Sequence, residues 1–136
     1  MEKKELLKVE GLKQYFPIKG GFLGRTVNYV KAVDDISFTI YEGETVSIVG
    51  ESGSGKSVTS KAIMGISAVN AIIENGEILY DGKDLTKIGE EQFYELRGNK
   101  IAMIFQDPMS SLNPIMRIGK QLTEAMLLKG KANQRE

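Results

Sequence analysis

Residues 50–57 read GESGSGKS, a full match to the pattern G-x-x-x-x-G-K-[ST]. Each fixed residue type answers a need of a bound polyphosphate. Gly53 and Gly55 accept backbone angles that turn successive N–H groups inward, and the helix expected to follow adds the positive end of its dipole. Lys56 supplies a mobile point charge for β- and γ-phosphates. Ser57 offers a small hydroxyl oxygen to Mg2+, a cation that prefers hard donors. The cradle as a whole comprises Gly50, Glu51, Ser52, Gly53, Ser54, Gly55, Lys56, Ser57 and Val58. At average composition the four fixed positions recur by chance in on the order of 0.5% of chains this long, too rarely for a mere glycine-rich turn. GTPases, kinases, motors and transporters all carry such a loop. Asn99-Lys100-Ile101-Ala102 opens like a guanine-reading N-K-x-D motif but has Ala where Asp is needed, so guanine specificity is unsupported.

The elements around the loop must hold it in place. Thr45 to Val49 is a short apolar run ending in glycine, the pattern of a buried central strand. Val58, Ala62, Ile63 and Ile66 recur at helical spacing behind it. Upstream, Leu6 to Leu12 reads as a strand with Leu7, Val9 and Gly11 on one face, ended by Pro17, which lacks the ladder N–H. Ile18 to Asn28 reads as a long hairpin loop, with extended chain resuming at Tyr29 to Ala32. Ile36, Phe38 and Ile40 alternate with Ser37, Thr39 and Tyr41, a strand with one buried face. Downstream come a strand over Gly76 to Tyr80, an Asp81-Gly82 turn and a short helix over Glu90 to Arg97. A second buried strand spans Ile101 to Phe105, and Ile118, Leu122, Ala125 and Met126 mark a final amphipathic helix. The pattern is α/β with an antiparallel β annex.

Composition narrows the chemistry. The chain has 136 residues, enough for one compact domain. Its 18 basic and 18 acidic side chains balance, which gives no electrostatic case for nucleic acid. With neither Cys nor His, thiol chemistry, imidazole catalysis and the usual zinc sites are excluded for these residues. No apolar run approaches the roughly 18 residues that a membrane helix needs, and the opening MEKKELLKVE has no signal-peptide core. The expectation is a cytosolic chain that meets a membrane only through a partner. Met103, Met109, Met116 and Met126 read as core filling.

A second anchor narrows the class. The strand IAMIF runs straight into Gln106-Asp107-Pro108, about 50 residues after Lys56, and this resembles the Q-loop of ABC-type ATPases. The segments KAVDDISFTIYEGETVSIVGESGSGKS and GEILYDGKDL resemble the same family before and after its phosphate loop. The wording RGNKIAMIFQDPMSSLNP is similar to the ATP-binding subunits of oligopeptide, dipeptide and nickel importers. The resemblance covers essentially the whole chain. It implies the N-terminal half of a P-loop NTPase fold, with an antiparallel annex over about 1–44, a partial parallel core over 45–107 and the start of a helical subdomain over 108–136. It implies hydrolysis of Mg-ATP to power uptake of peptides or a similar small solute. Gln106 would reach Mg2+ and the attacking water, with Lys56 and Ser57 on phosphate and metal, so that Gln106 and Lys56 are the catalytic pair expected here. The family stacks adenine on an aromatic of the first loop. That position falls on Phe16, with Tyr15 as the alternative; otherwise Phe16 would be hairpin core and Tyr15 a surface residue.

The resemblance also implies partners: transmembrane permease subunits, a second ABC ATPase subunit and, indirectly, a solute-binding protein. The location would be the cytoplasmic face of the plasma membrane, held peripherally. The LSGGQ signature, an apolar strand ending in Asp-Glu and a switch histidine do not occur in these 136 residues. The simplest expectation is an N-terminal fragment cut early in the helical subdomain, inactive alone, with TVSIV and IAMIF exposed. Such importers often carry two ATPase subunits, and this chain combines an opening like one with a core like the other. Two other readings compete: a non-catalytic nucleotide-binding or regulatory module, and an ATPase head of DNA repair or chromosome structure. The FQDPMSSLNP wording and the zero net charge speak against the last.

Overall fold

A computed structural model describes residues 3–20, 24–105, 112–128 and 130. The chain divides into two compact units, Met1–Glu95 and Leu96–Glu136. The first is built on a four-stranded antiparallel sheet in the order β2-β1-β3-β4. Strand β1 (Glu5–Gly20) and strand β2 (Arg25–Tyr41) form a long hairpin. Helix α1 (Lys56–Ile63) leads to β3 (Ile72–Tyr80), which pairs with β1 from Leu7↔Tyr80 to Tyr15↔Ile72. The short β4 (Lys83–Asp84), a 3-10 turn (Leu85–Lys87) and α2 (Glu90–Leu96) follow.

Two expectations about β1 are corrected. Pro17 does not end the strand; it pairs with Tyr29, and the strand continues to Gly20. Beyond Tyr15 the strand has β2 on one side only, and a missing N–H is tolerated at such an edge. The loop expected over Ile18 to Asn28 is correspondingly shorter, since both hairpin arms run into it. Gly11 does not continue the Leu7-Val9 face either. It adopts φ +56 at a bulge, so that Leu12 takes the next buried position. Gly76, at φ +94, lies against this bulge; a Cβ there would stand 2.5 Å from the Gly11 carbonyl oxygen.

The sheet buries Val9, Leu12, Val33 and Ile78, joined in the core by Ala62, Leu85 and Phe93. Each fully buried Val, Leu or Ile contributes roughly 1.5–3 kcal/mol, so Val9, Leu12 and Ile78 anchor the unit. The expected Asp81-Gly82 turn closes β3 onto β4 with both residues at positive φ (48° and 78°), the geometry that matches strand twist. The helix expected over Glu90 to Arg97 ends at Leu96, with Gly98 beyond it at φ +76.

The two apolar runs expected as buried strands are not paired in a sheet. Residues 44–50 carry no ladder, and Val49 is 91% exposed. In the second unit Ile101 makes a single bridge to Arg97, whereas Ile104 is 97% exposed. A parallel strand needs a hydrogen-bonded neighbour along its length, and neither run has one among the described residues. Helix α3 (Ile118–Leu128) forms where expected, preceded by a turn in which the Gln121 side chain bonds Asn113 and Met116. Ile118, Leu122 and Met126 on it are exposed.

Candidate phosphate-binding site

The phosphate loop sits between the 44–50 segment and α1. Gly53 and Gly55 adopt φ +83 and +86, the left-handed angles that L side chains avoid. Gly50 is pressed against Ser54, whose Oγ would lie 2.5 Å from an added Cβ. Gly55 serves as the N-cap of α1 and lies on β2, where a Cβ would collide with the Ala32 carbonyl oxygen and touch Val33. The loop is thus backed by the sheet.

The first N–H of α1 to find a backbone partner is that of Thr59, which donates to the Gly55 carbonyl at 2.9 Å. The buried Thr59 hydroxyl donates to the same oxygen at 3.0 Å. The N–H groups of Lys56, Ser57 and Val58 make no hydrogen bond among the described residues, which leaves a helix N-terminus equipped for an anion. The Lys56 ammonium folds back over the loop and donates to the Gly50 carbonyl (2.7 Å), the Glu51 carbonyl (2.6 Å) and Ser54 Oγ (3.1 Å). All three of its donors are engaged, so the positive charge is held within the ring of backbone that would surround a phosphate. Ser57 is exposed and its hydroxyl is unbonded among the described residues. No cluster of three or more His, Cys, Asp or Glu side chains that could hold a metal is found among them. Of the two side chains expected on a divalent cation, Ser57 is described and presents its hydroxyl at the head of α1.

The loop residues Gly50 to Val58 are thus contiguous and suitably shaped for a polyphosphate. Gln106, expected to join them, lies outside the described residues. Phe16 and Tyr15 are on β1 but on opposite faces of it, by the alternation of the strand. Phe16 shares its face with Leu12 and Gln14, and is half-buried opposite Val30. Tyr15 is committed elsewhere. Its phenol donates to Asp34 Oδ1 at 2.6 Å, its ring is tilted against Tyr29, and the Lys31 ammonium lies 5.3 Å from the ring centroid. The hydrogen bond to Asp34 holds the Tyr15 phenol above its ordinary range; the same bond, with help from Lys31, holds the Asp34 carboxyl below its own.

Sequence reasoning missed two groups that contact Gly55 and one buried amide on β1. The Ala32 carbonyl behind Gly55 is backbone and has no side-chain signature. Thr59 resembles any polar helix residue. Gln14 is fully buried and donates from Nε2 to Ser67 Oγ at 2.8 Å, while its Oε1 has no partner among the described residues. Only a polar residue at an inward-facing strand position hinted at it.

Comparison with known proteins adds to this geometry. The ABC transporter family model matches residues 33–136. A dipeptide transport ATP-binding protein of Lactococcus lactis subsp. cremoris is 48% identical over 127 residues, 93% of this chain and 34% of its own length. An oligopeptide transport ATP-binding protein of Bacillus subtilis is 48% identical over 122 residues, covering 89% of this chain and 32% of its own. One of Escherichia coli is 50% identical over 99 residues, 73% and 29% respectively. The chain thus spans about a third of the length of these relatives.

Proposed function

Because the chain belongs to the ABC transporter family, we propose that it binds Mg-ATP at residues 50–58 as part of an ATPase that powers uptake of peptides or a similar small solute. The observation that carries this reading is the loop itself: three N–H groups at the start of α1 that make no hydrogen bond among the described residues, with the Lys56 ammonium poised among the backbone they adjoin. Arrival of a triphosphate would draw Lys56 from the loop carbonyls onto β- and γ-oxygens, exchanging neutral acceptors for charged ones. Ser57 would hold Mg2+, whose charge offsets that developing on the phosphates. Phe16 would stack on the base, its sheet face being the one that carries α1 through Val33 and Gly55. Tyr15, tied to Asp34, is the weaker candidate for that role. Gln106 would orient the attacking water.

The relatives are named as dipeptide and oligopeptide transport ATP-binding proteins, which supports the substrate class. The partners we propose with it are permease subunits in the membrane, a second ATPase subunit, and a solute-binding protein acting through the permease. None of the described helices is long and apolar enough to cross a membrane. The location proposed with these partners is peripheral, at the cytoplasmic face. The test is calorimetric titration with Mg-ATP, with Lys56→Ala as control. Saturable binding that the substitution abolishes supports the reading; equal binding in both, or none in the unsubstituted protein, refutes it. Binding without turnover in the assembled transporter would instead favour a non-catalytic nucleotide module.

A further inference from the structure

Helix α1 is held to the sheet from both flanks, and the two holds meet at one cross-strand pair. Gln14 on β1 is directly opposite Val33 on β2. At the N-terminal flank, Gly55 packs on Ala32 and Val33. At the C-terminal flank, the Gly65 N–H donates to the Ala62 carbonyl and the Ile66 N–H to the Lys61 carbonyl, with Gly65 at φ +63, so the chain leaves the helix through a rigid cap. Gly65 is in turn covered by the Phe93 ring, which any Cβ there would strike. Ser67, two residues beyond this cap, receives the Gln14 amide. The path from Gln14 through Ser67 to α1 therefore contains little slack.

Gln14 also lies two residues from Phe16 on the same face of β1. From this placement we infer that Gln14 and Ser67 are a positioning pair that sets the spacing between the base-stacking side chain of β1 and the phosphate loop at the head of α1. The inference rests on the reading of residues 50–58 as a nucleotide site with Phe16 on the base. A residue needed only to fill this space would be apolar, since the Gln14 Oε1 is buried without a partner among the described residues. What the amide adds over a methionine of similar length is one directed bond, between β1 and the flank of α1.

The pair acts on the distance between two subsites, so it must affect ligands that span both and spare those that occupy one. The experiment compares Mg-ATP with Mg-tripolyphosphate, which reaches the phosphate loop and has no base, by calorimetric titration of the full-length protein. Gln14→Met keeps the volume and removes both the bond and the orphaned oxygen. Ser67→Ala cuts the same bond from the other side and keeps Gln14. In each variant ATP affinity should fall by about 3- to 10-fold, the equivalent of one hydrogen bond, with tripolyphosphate affinity unchanged. The double variant should lose no more than the larger single loss. Thermal melting supplies the contrast with a merely structural role: Gln14→Met should melt no lower than the unsubstituted protein, although it binds ATP more weakly. Equal losses for both ligands, or no loss for either, overturns the inference while leaving the nucleotide site intact. Failure of the unsubstituted protein to bind either ligand would instead overturn the reading beneath it.

Discussion

Gly53 and Gly55 offer a controlled comparison, because they share a backbone angle and differ in what lies behind them. A methyl group at either must adopt φ near +85, which costs about 1–2 kcal/mol for an L residue. Alanine recovers about 0.4–1 kcal/mol of that by restricting the unfolded chain. At Gly53 nothing lies within 4 Å of the added carbon, so Gly53→Ala should cost about 1 kcal/mol or less. At Gly55 the carbon runs into the Ala32 carbonyl of β2, a backbone group with no side-chain freedom to move aside. Overpacking of this kind adds typically 1–3 kcal/mol, so Gly55→Ala should cost about 2–4 kcal/mol. Urea denaturation followed by circular dichroism reads the difference. For a slope of about 1–3 kcal/mol per molar urea, the two midpoints should differ by about 1 M. Coincident midpoints would refute the reasoning, since they would mean that the sheet does not back the loop at Ala32.

The base should be read by Phe16: Phe16→Ala should weaken ATP binding by roughly 1–3 kcal/mol in a nucleotide titration, whereas Tyr15→Phe should leave it unchanged. Asp84 caps the 3-10 turn, its Oδ1 accepting from the Thr86 N–H and hydroxyl and its Oδ2 lying 2.8 Å from the Lys87 ammonium. Burial alone would raise its pKa, but these partners outweigh that and hold it below the ordinary carboxylate value. A carboxyl with a depressed folded pKa contributes stability above its unfolded pKa and loses it as pH falls through the folded one. Melting temperature should therefore drop below about pH 4, and Asp84→Ala should flatten that acid limb while costing about 0.5–2 kcal/mol at neutral pH; an unchanged limb would count against it. With Val49, Ile104 and Phe105 exposed, the 136-residue chain alone should self-associate in sedimentation velocity, and a clean monomer with a cooperative melt would contradict this.

The phosphate loop was legible in sequence because its glycines and lysine specify a local backbone shape. The sheet adds a fixed contact that the sequence does not announce, Ala32 behind Gly55. The Asp81-Gly82 hairpin and the helices over 90–96 and 118–128 were legible for the same reason, since turn chemistry and helical periodicity are short-range signals. TVSIV and IAMIF were not, because a buried strand is a relationship with neighbours and an apolar run records only half of it. Pro17 misled for a related reason: proline forbids one hydrogen bond, and at that position the fold does not ask for it. The Gln14–Ser67 link joins residues 53 positions apart, and neither sequence neighbourhood mentions the other.

The backing of Gly55 by Ala32 bears on how portable the loop is. An octapeptide GESGSGKS moved into another scaffold would bring its own glycines and its own lysine, yet it would leave behind the carbonyl wall against which Gly55 is set. The family match begins at residue 33, one position past that wall and beyond the whole of β1. A domain trimmed to the matched boundary would keep every residue of the motif and lose both the strand that carries Phe16 and the group that holds the loop in register. Swaps between related chains should therefore be joined upstream of Glu5, so that hairpin and loop travel as one inherited piece.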